Sequence, residues 1–363
     1  MKLVELKLKN YRNYSDANVA FSDITVFTGD NAQGKTNVLE AAFLCSTGRS
    51  HRTRKDKELI KMGESGLAVT ALVEKTEGLY QIDYRLDQEA GRKILINGMP
   101  IKRMGELMGV LNTVLFAPED LDLVEAGPAE RRRFMDMELS QVQPSYFYSL
   151  QAYQRILRQR NALLHSGQDL RQIEPVLSVW DEQLIKEGCA IIRTRKVFLE
   201  RLAIKAGEIH SHLSGNKEEL VVTYQPDIVC DGEDVEAAFR KRLEQVRETE
   251  LRRQTSCAGP HRDDIHLEIN GLEAKVYGSQ GQKRTAALAL KLSEISLMEE
   301  DIGEKPVLLL DDVLSELDIS RQQLLFSYME NTQTVLTCTH LEGGQRYENA
   351  LTYTIKNGTV NEA

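Results

Sequence analysis

One run of eight residues constrains this chain more than any other. Gly29-Asp30-Asn31-Ala32-Gln33-Gly34-Lys35-Thr36 fits G-x-x-x-x-G-K-[ST], the phosphate-binding loop. The pattern carries meaning only between a strand and a helix, and both are predicted here. Ile24-Thr25-Val26-Phe27-Thr28 reads as a short buried strand, and Asn37 to Leu44 has helical spacing and good helix formers, ending near Gly48. Glycine lets the backbone wrap an anion with its N–H groups, while the helix N-terminus turns the positive end of its dipole toward the charge. Lys35 is expected to reach the β- and γ-phosphates of a nucleotide, and the Thr36 hydroxyl to bind Mg²⁺.

A second half-site lies far downstream. Val307-Leu308-Leu309-Leu310 is an apolar run ending in Asp311 and Asp312, and a buried strand delivers such acids to the sheet edge that carries the loop. Asp311 would hold Mg²⁺ through its water shell, and Asp312 would orient or deprotonate an attacking water. Taken alone, the pair also reads as a strand running into a helix cap. The distance along the chain between the two halves is unusual for compact P-loop kinases and calls for an inserted lobe. Leu67 to Met99 reads as strands, with hairpin turns at Asn97-Gly98 and Asn270-Gly271. From Pro118 to about Glu250 the texture changes to Leu, Gln, Arg and Glu at helical spacing. The expected fold is α/β: a P-loop ATPase head with a mixed β-sheet, built from 1–117 and 250–363, and an inserted, mostly α-helical lobe over 118–249. Four to six helices are expected there, too short for a long coiled-coil arm.

Composition limits the partners. With 46 Lys+Arg against 55 Asp+Glu the net charge is -9, so any nucleic-acid contact must rest on local basic patches. Arg49, Arg52, Arg54, Lys55 and Lys57 form one such run, able to hold a duplex by its phosphates or to lie as a solvated loop. Arg131 to Arg133, Arg193-Arg195-Lys196 and Arg240-Lys241-Arg242 are basic too, but interleaved glutamates make many of them read as solvated helix faces. Five scattered cysteines without a C-x-x-C pair indicate neither a zinc ribbon nor a disulfide framework. No apolar run reaches the ~18 residues of a membrane span, and the first residues lack a signal-peptide core, so a soluble, cytoplasmic protein is expected.

Tyr277-Gly278-Ser279-Gln280-Gly281-Gln282 opens another helix, whose Leu288, Leu292 and Ile295 share a face. A serine and a glycine there also make an ordinary N-cap. The order of phosphate loop, S-x-G-Q helix start, paired-acid strand, Ser315-Glu316-Leu317-Asp318 and His340 resembles the head of ABC-type ATPases, in the branch containing SMC proteins and Rad50. Within it the chain resembles the RecF family over essentially its full length. The residues carrying that likeness are Leu8 to Tyr14, Gly48 to Arg54, Phe116 to Leu121, Arg131 to Phe134, Gly259 to Asp264 and Leu310 to Asp318.

The resemblance implies a weak, DNA-stimulated ATPase that uses ATP and Mg²⁺ and forms an ATP-dependent homodimer. It assigns Arg12, the loop Gly29 to Thr36 and Asn37 to the nucleotide, with Ser279, Gly281 and Gln282 meeting the partner subunit's nucleotide. Lys35, Ser279, Asp312 and the switch residue His340 would carry the chemistry. It further implies binding to gapped DNA at single-strand/double-strand junctions, and work with RecR and RecO to load RecA. Two departures stand out: Pro118-Glu119-Asp120 replaces the usual glutamine loop, and Asp312 replaces the usual catalytic glutamate, so hydrolysis is expected to be slow. A nucleotide-switched scaffold with little direct DNA contact is the main rival, and a transporter's nucleotide-binding subunit a lesser one. Gly259 to Asp264 would couple nucleotide to DNA, or form an ion-paired turn.

Overall fold

The computed structural model describes residues 1–167, 170–230, 234–317, 319–339 and 350–362. The chain divides into two compact units, Met1–Asp120 with Leu288–Ala363, and Leu121–Ala287. His340, expected near the nucleotide, and Asp318, the last residue of the Leu310 to Asp318 motif, lie outside the described residues.

The first unit holds two six-stranded sheets. One is antiparallel, in the order Tyr14–Ala20, Lys2–Tyr11, Gly66–Lys75, Gly78–Asp87, Gly91–Ile96, Met99–Pro100. Strand Lys2–Tyr11 buries Leu6 and Leu8 between exposed lysines, as its alternation predicts. A register shift between Leu3 and Glu5 turns Leu3 inward as well, which strict alternation with Leu6 would forbid. The turn residues Asn97 and Gly98 both take positive φ, 51° and 79°, as a two-residue hairpin requires.

The other sheet is mixed. Its order is Thr359–Glu362, Leu351–Lys356, Ile24–Thr28, Thr334–Cys338, Val307–Asp311, Thr113–Phe116, and only the first of these strands runs antiparallel to its neighbour. Val26, Leu308, Leu309, Val335 and Leu336 are wholly buried, which explains why these strands are continuous apolar runs. Parallel register sets Thr28 opposite Cys338, and Asp311 opposite Thr337. The loop that follows Thr28 and the carboxylates that close Val307–Asp311 therefore share the carboxyl edge of one sheet.

The second unit contains the helices Pro128–Val142, Pro144–His165, Leu170–Leu213 and Val235–Arg253, with a small sheet in the order Leu272–Glu273, Asp264–Ile269, Leu220–Gln225. A boundary at 249 falls inside the helix Val235–Arg253. Asp264–Ile269 pairs with Leu220–Gln225, Ile265 opposite Tyr224, and this pairing draws the segment up to Ala287 into the second unit. Helix Leu170–Leu213 is 44 residues long and carries Pro175 inside it. Pro175 falls just past the first turn, where it gives up the hydrogen bond to the Arg171 carbonyl without ending the helix.

Two of the basic stretches each send one arginine into the interior, while Arg133, Arg193 and Lys196 stay exposed. Arg195 is 2% exposed and donates to Asp136 Oδ1 (2.7 Å), Asp263 Oδ2 (2.8 Å) and the Pro260 carbonyl (2.6 Å). Arg131 grips Asp264 through two hydrogen bonds of 2.6 and 2.9 Å. Both are interior cations with carboxylate partners, so neither presents a solvated helix face. The run Gly259 to Asp264 is an ion-paired turn inside this unit, with Tyr224 Oη also donating to Asp263 (2.5 Å).

Candidate nucleotide site

The phosphate loop connects strand Ile24–Thr28 to helix Lys35–Thr47. Gly29 and Gly34 have φ of 142° and 118°, values that favour glycine. A Cβ at Gly34 would lie 2.5 Å from Asn13 Nδ2, and one at Gly29 2.4 Å from the Ile355 carbonyl oxygen, so the loop closes on its neighbours only without side chains. No side chain caps the helix at Gly34, and its first turn carries no acid. Asn37 N–H already donates to the Gly34 carbonyl (3.0 Å), and no side-chain cap competes for the N–H groups ahead of it, the condition for anion binding at a helix start. Lys35 is buried, its ammonium donating to the carbonyls of Gly29 and Asp30, the latter at 3.1 Å. Asp30, Asn31 and Ala32 are exposed at the lip of the loop.

The loop is braced by a turn the sequence reading only partly recognised. Asn13 Nδ2 donates to the Gln33 carbonyl (2.7 Å), Tyr14 Oη to the Gly34 carbonyl (2.9 Å), and Asn37 Nδ2 to Asn13 Oδ1 (2.8 Å). Arg12, at φ 52°, turns its guanidinium onto Glu40 with bonds of 2.8 and 2.6 Å. Glu40 is fully buried and also accepts from Ser50 Oγ (2.5 Å). Burial pushes its carboxyl up, but the hydrogen bonds from Arg12 and Ser50 outweigh that and hold it below the usual range. Arg12 therefore reaches this region through Glu40, a residue its own motif does not reveal.

Arg52 departs from the other cations of its run. Its Nη1 donates to Asn37 Oδ1 at 2.9 Å and lies 3.7 Å from Glu40. Arg49, Arg54, Lys55 and Lys57 are exposed, Lys55 pairing at 3.5 Å with Glu58. The run thus has one arginine at the phosphate-loop helix and four cations facing water.

Thr36 and Asp311 meet. Thr36 Oγ1 donates to Asp311 Oδ1 at 2.9 Å, and Thr337 Oγ1 donates to the same oxygen at 2.9 Å. Burial pushes the Asp311 carboxyl up, opposed by those two hydroxyls. Thr337 also accepts from the Asp312 backbone N–H (2.9 Å), and Asp312 sits at φ 53°, an uncommon conformation for a non-glycine residue. The sequence signal for Thr337 is a threonine near the carboxyl end of strand Thr334–Cys338.

The donor set fits one kind of metal. Among the described residues no group of three or more His, Cys, Asp and Glu could hold an ion. One hydroxyl and one buried carboxylate is the sparse oxygen set that suits Mg²⁺, which keeps several waters and shares phosphate oxygens. Asp311 and Thr36 are the residues that would hold it.

Ser279, Gly281 and Gln282 belong to the second unit. Ser279 is exposed; its Oγ accepts from Gln282 N (3.3 Å) while Gln282 Oε1 accepts from Ser279 N (2.8 Å), a reciprocal capping box. The N-cap reading and the ligand reading are compatible, because a hydroxyl that accepts from the helix still has its proton to donate. Gln282 Nε2 is engaged with Glu218 (2.9 Å). Among the described residues no helix is long and apolar enough to cross a membrane.

Residues 2–357 match the family described as RecF/RecN/SMC N terminal domain. The chain is 43% identical over 349 residues to the DNA replication and repair protein RecF of Acetivibrio thermocellus, with 94% of each chain covered. It is 45% identical over 364 residues to the RecF of Shouchella clausii, with 98% of each covered. Among solved structures, the recombination mediator protein RecF with ATP, of the RecFOR pathway, aligns at a TM-score of 0.90 and 35% identity over 99% of this chain and 97% of that one. An Smc head domain from Pyrococcus furiosus, 16% identical at a TM-score of 0.57 over 99% of this chain and 95% of that one, shares the fold.

Proposed function

This chain belongs to the RecF family of ATPase heads, and from that premise we propose that it is an ATP-gated dimer that binds gapped DNA and helps RecR and RecO load RecA. The observation that carries the reading is the Thr36–Asp311 hydrogen bond, which joins the phosphate loop to the carboxylate strand at one sheet edge. Lys35 and the N–H groups at the start of its helix bind the phosphates, while Thr36 and Asp311 hold Mg²⁺. Bound Mg²⁺-ATP supplies a γ-phosphate for the partner subunit to recognise and a scissile bond. Ser279 donates its free hydroxyl proton to that phosphate from across the dimer, so loss of the phosphate releases the two subunits.

Asp312 orients the attacking water or takes its proton. Its side chain is one methylene shorter than the glutamate usual at this position in such heads, so the carboxylate has less reach, and slow hydrolysis follows. Exposed Arg49, Arg54, Lys55 and Lys57 supply phosphate contacts to the duplex. The test is anisotropy of a fluorescent gapped duplex with Mg²⁺-ATP and without nucleotide, at near-physiological salt. Tight binding that needs ATP is expected. Equal binding in both states would separate DNA from the nucleotide gate, and no binding in either would favour the scaffold.

A further inference from the structure

The segment that carries Ser279 is fastened at three points to one stretch of chain, 125–131, all inside the second unit. At its entry Arg131 holds Asp264 through two bonds of 2.6 and 2.9 Å, while Arg131 Nη1 donates to the Ala126 carbonyl at 3.1 Å. Midway, Lys275 Nζ donates to the same carbonyl at 3.1 Å. At its exit, Glu125 Oε1 accepts from Gln280 Nε2 (3.1 Å) and Lys283 Nζ (3.2 Å), two residues of the helix turn that Ser279 caps. Hydrogen bonds from Lys283 and then Gln280 hold the Glu125 carboxyl below its usual range.

The capping box cannot do this work. It fixes Ser279 only relative to its own first turn. The direction in which that turn presents the hydroxyl depends on ties from outside the helix, and Glu125 is the anion that engages two residues of its first turn, Gln280 and Lys283, on one face. The lysine it holds has a side chain only 13% exposed, its stem packed down so that the ammonium meets Glu125.

We propose that Glu125 is the positioning residue for Ser279: by engaging Gln280 and Lys283 together it aims the serine hydroxyl at the partner subunit's nucleotide. This rests on the reading that Ser279 acts across a dimer. Glu125 touches no substrate. Glu125 keeps 32% of its side chain in water, so truncating it should alter geometry without unfolding the unit.

The experiment uses the full chain in five forms: wild type, Ser279→Ala, Glu125→Ala, Lys283→Glu, and the reversed pair Glu125→Lys with Lys283→Glu. Sedimentation measures ATP-dependent dimerisation, a fluorescent ATP analogue measures nucleotide affinity of the monomer, and kcat, KM and melting temperature are recorded for each. Glu125→Ala and Lys283→Glu are expected to lower kcat and weaken the dimer by about tenfold each, a misaimed contact, with nucleotide affinity unchanged and, for Glu125→Ala, the melting temperature unchanged as well. The reversed pair is expected to recover most of both. If Ser279→Ala cripples dimerisation while Glu125→Ala leaves it intact, or if the reversed pair is no better than the single variants, the positioning role is wrong and the serine reading stands. If Ser279→Ala changes nothing, both fall.

Discussion

Thr36 donates a hydrogen bond to Asp311 at 2.9 Å although 275 positions of sequence separate them. The parallel pairing of Ile24–Thr28 and Val307–Asp311 with the strand between them brings the two together, and Thr337 from that central strand completes the contact. Asp311→Asn keeps an oxygen acceptor for both hydroxyls and gives up only the charge. The fold should therefore survive, with a melting temperature within a few degrees of wild type, roughly the effect of less than about 1 kcal/mol. ATP turnover should fall by about a hundredfold or more, because the cation loses its anionic ligand. Thermal unfolding and phosphate release check the two halves; near-normal turnover would remove Asp311 from the metal site.

Arg52 and Arg54 should behave differently, although they are two positions apart. Arg52 holds Asn37 on the phosphate-loop helix, so Arg52→Ala is expected to weaken ATP binding several-fold. Arg54 is exposed, and Arg54→Ala should leave ATP affinity alone while lowering the slope of log affinity for DNA against log salt by about one. Nucleotide titrations and a salt series on the same two variants test this. Identical profiles for both would mean that the basic run acts as a single patch.

That difference marks how far the sequence could be read. The strand, loop and helix around Gly29 to Thr36 were legible because their signals are local: Ile24–Thr28 is a strand as read, and the helix ends where Gly48 takes φ 69°. Asp311 was legible because a fully buried strand shows as an unbroken apolar run. Arg52 was not, since its place depends on the segment after Gly48 folding back so that Ser50 and Arg52 both meet Glu40. Arg131 and Arg195 were misread for the same reason. Their partners stand up to 133 positions away, and a count of charges along one helix cannot tell a paired interior arginine from a solvated one.

Acid should weaken the second unit through His261. Tyr153 Oη meets its Nδ1 at 2.7 Å and Nε2 faces the Ser256 carbonyl at 3.4 Å, an arrangement that suits the neutral ring with its proton on Nε2. Burial pushes its pKa down to about 4, with Arg262 and Arg132 adding to the effect and Asp227 opposing it. Between pH 6.5, where the unfolded chain takes up the proton, and about pH 4, where the folded chain does, protons favour unfolding. Stability is therefore full above that window and falls as pH drops through it, by at most about 3 kcal/mol. His261→Gln should flatten this limb of the pH profile in denaturant unfolding; an unchanged slope would show that other groups set it.

Arg160 should be the most costly single truncation in the second unit. It has no exposed surface; Nε donates to Asp181 Oδ1 (2.7 Å), Nη1 and Nη2 to the two oxygens of Glu250 (2.9 and 2.6 Å), and Nη1 also to Ser256 Oγ (2.7 Å). Glu250 is wholly buried too, and also accepts from the Cys257 N–H (2.8 Å), so the guanidinium balances an acid that shapes the turn after helix Val235–Arg253. Arg160→Ala removes the cation and leaves that carboxylate without its main partner; Arg247 lies 3.9 Å from Glu250 and is already engaged with Asp181. Stranding a buried charge in this way costs about 3–5 kcal/mol. Arg160→Met combined with Glu250→Gln removes both charges at similar volume and should recover much of the loss, because the penalty comes from the unpaired acid and not from the missing contacts. Urea unfolding of the single and double variants measures this. If the double variant is no more stable than Arg160→Ala, the cluster stabilises the unit by packing, and the charge argument fails.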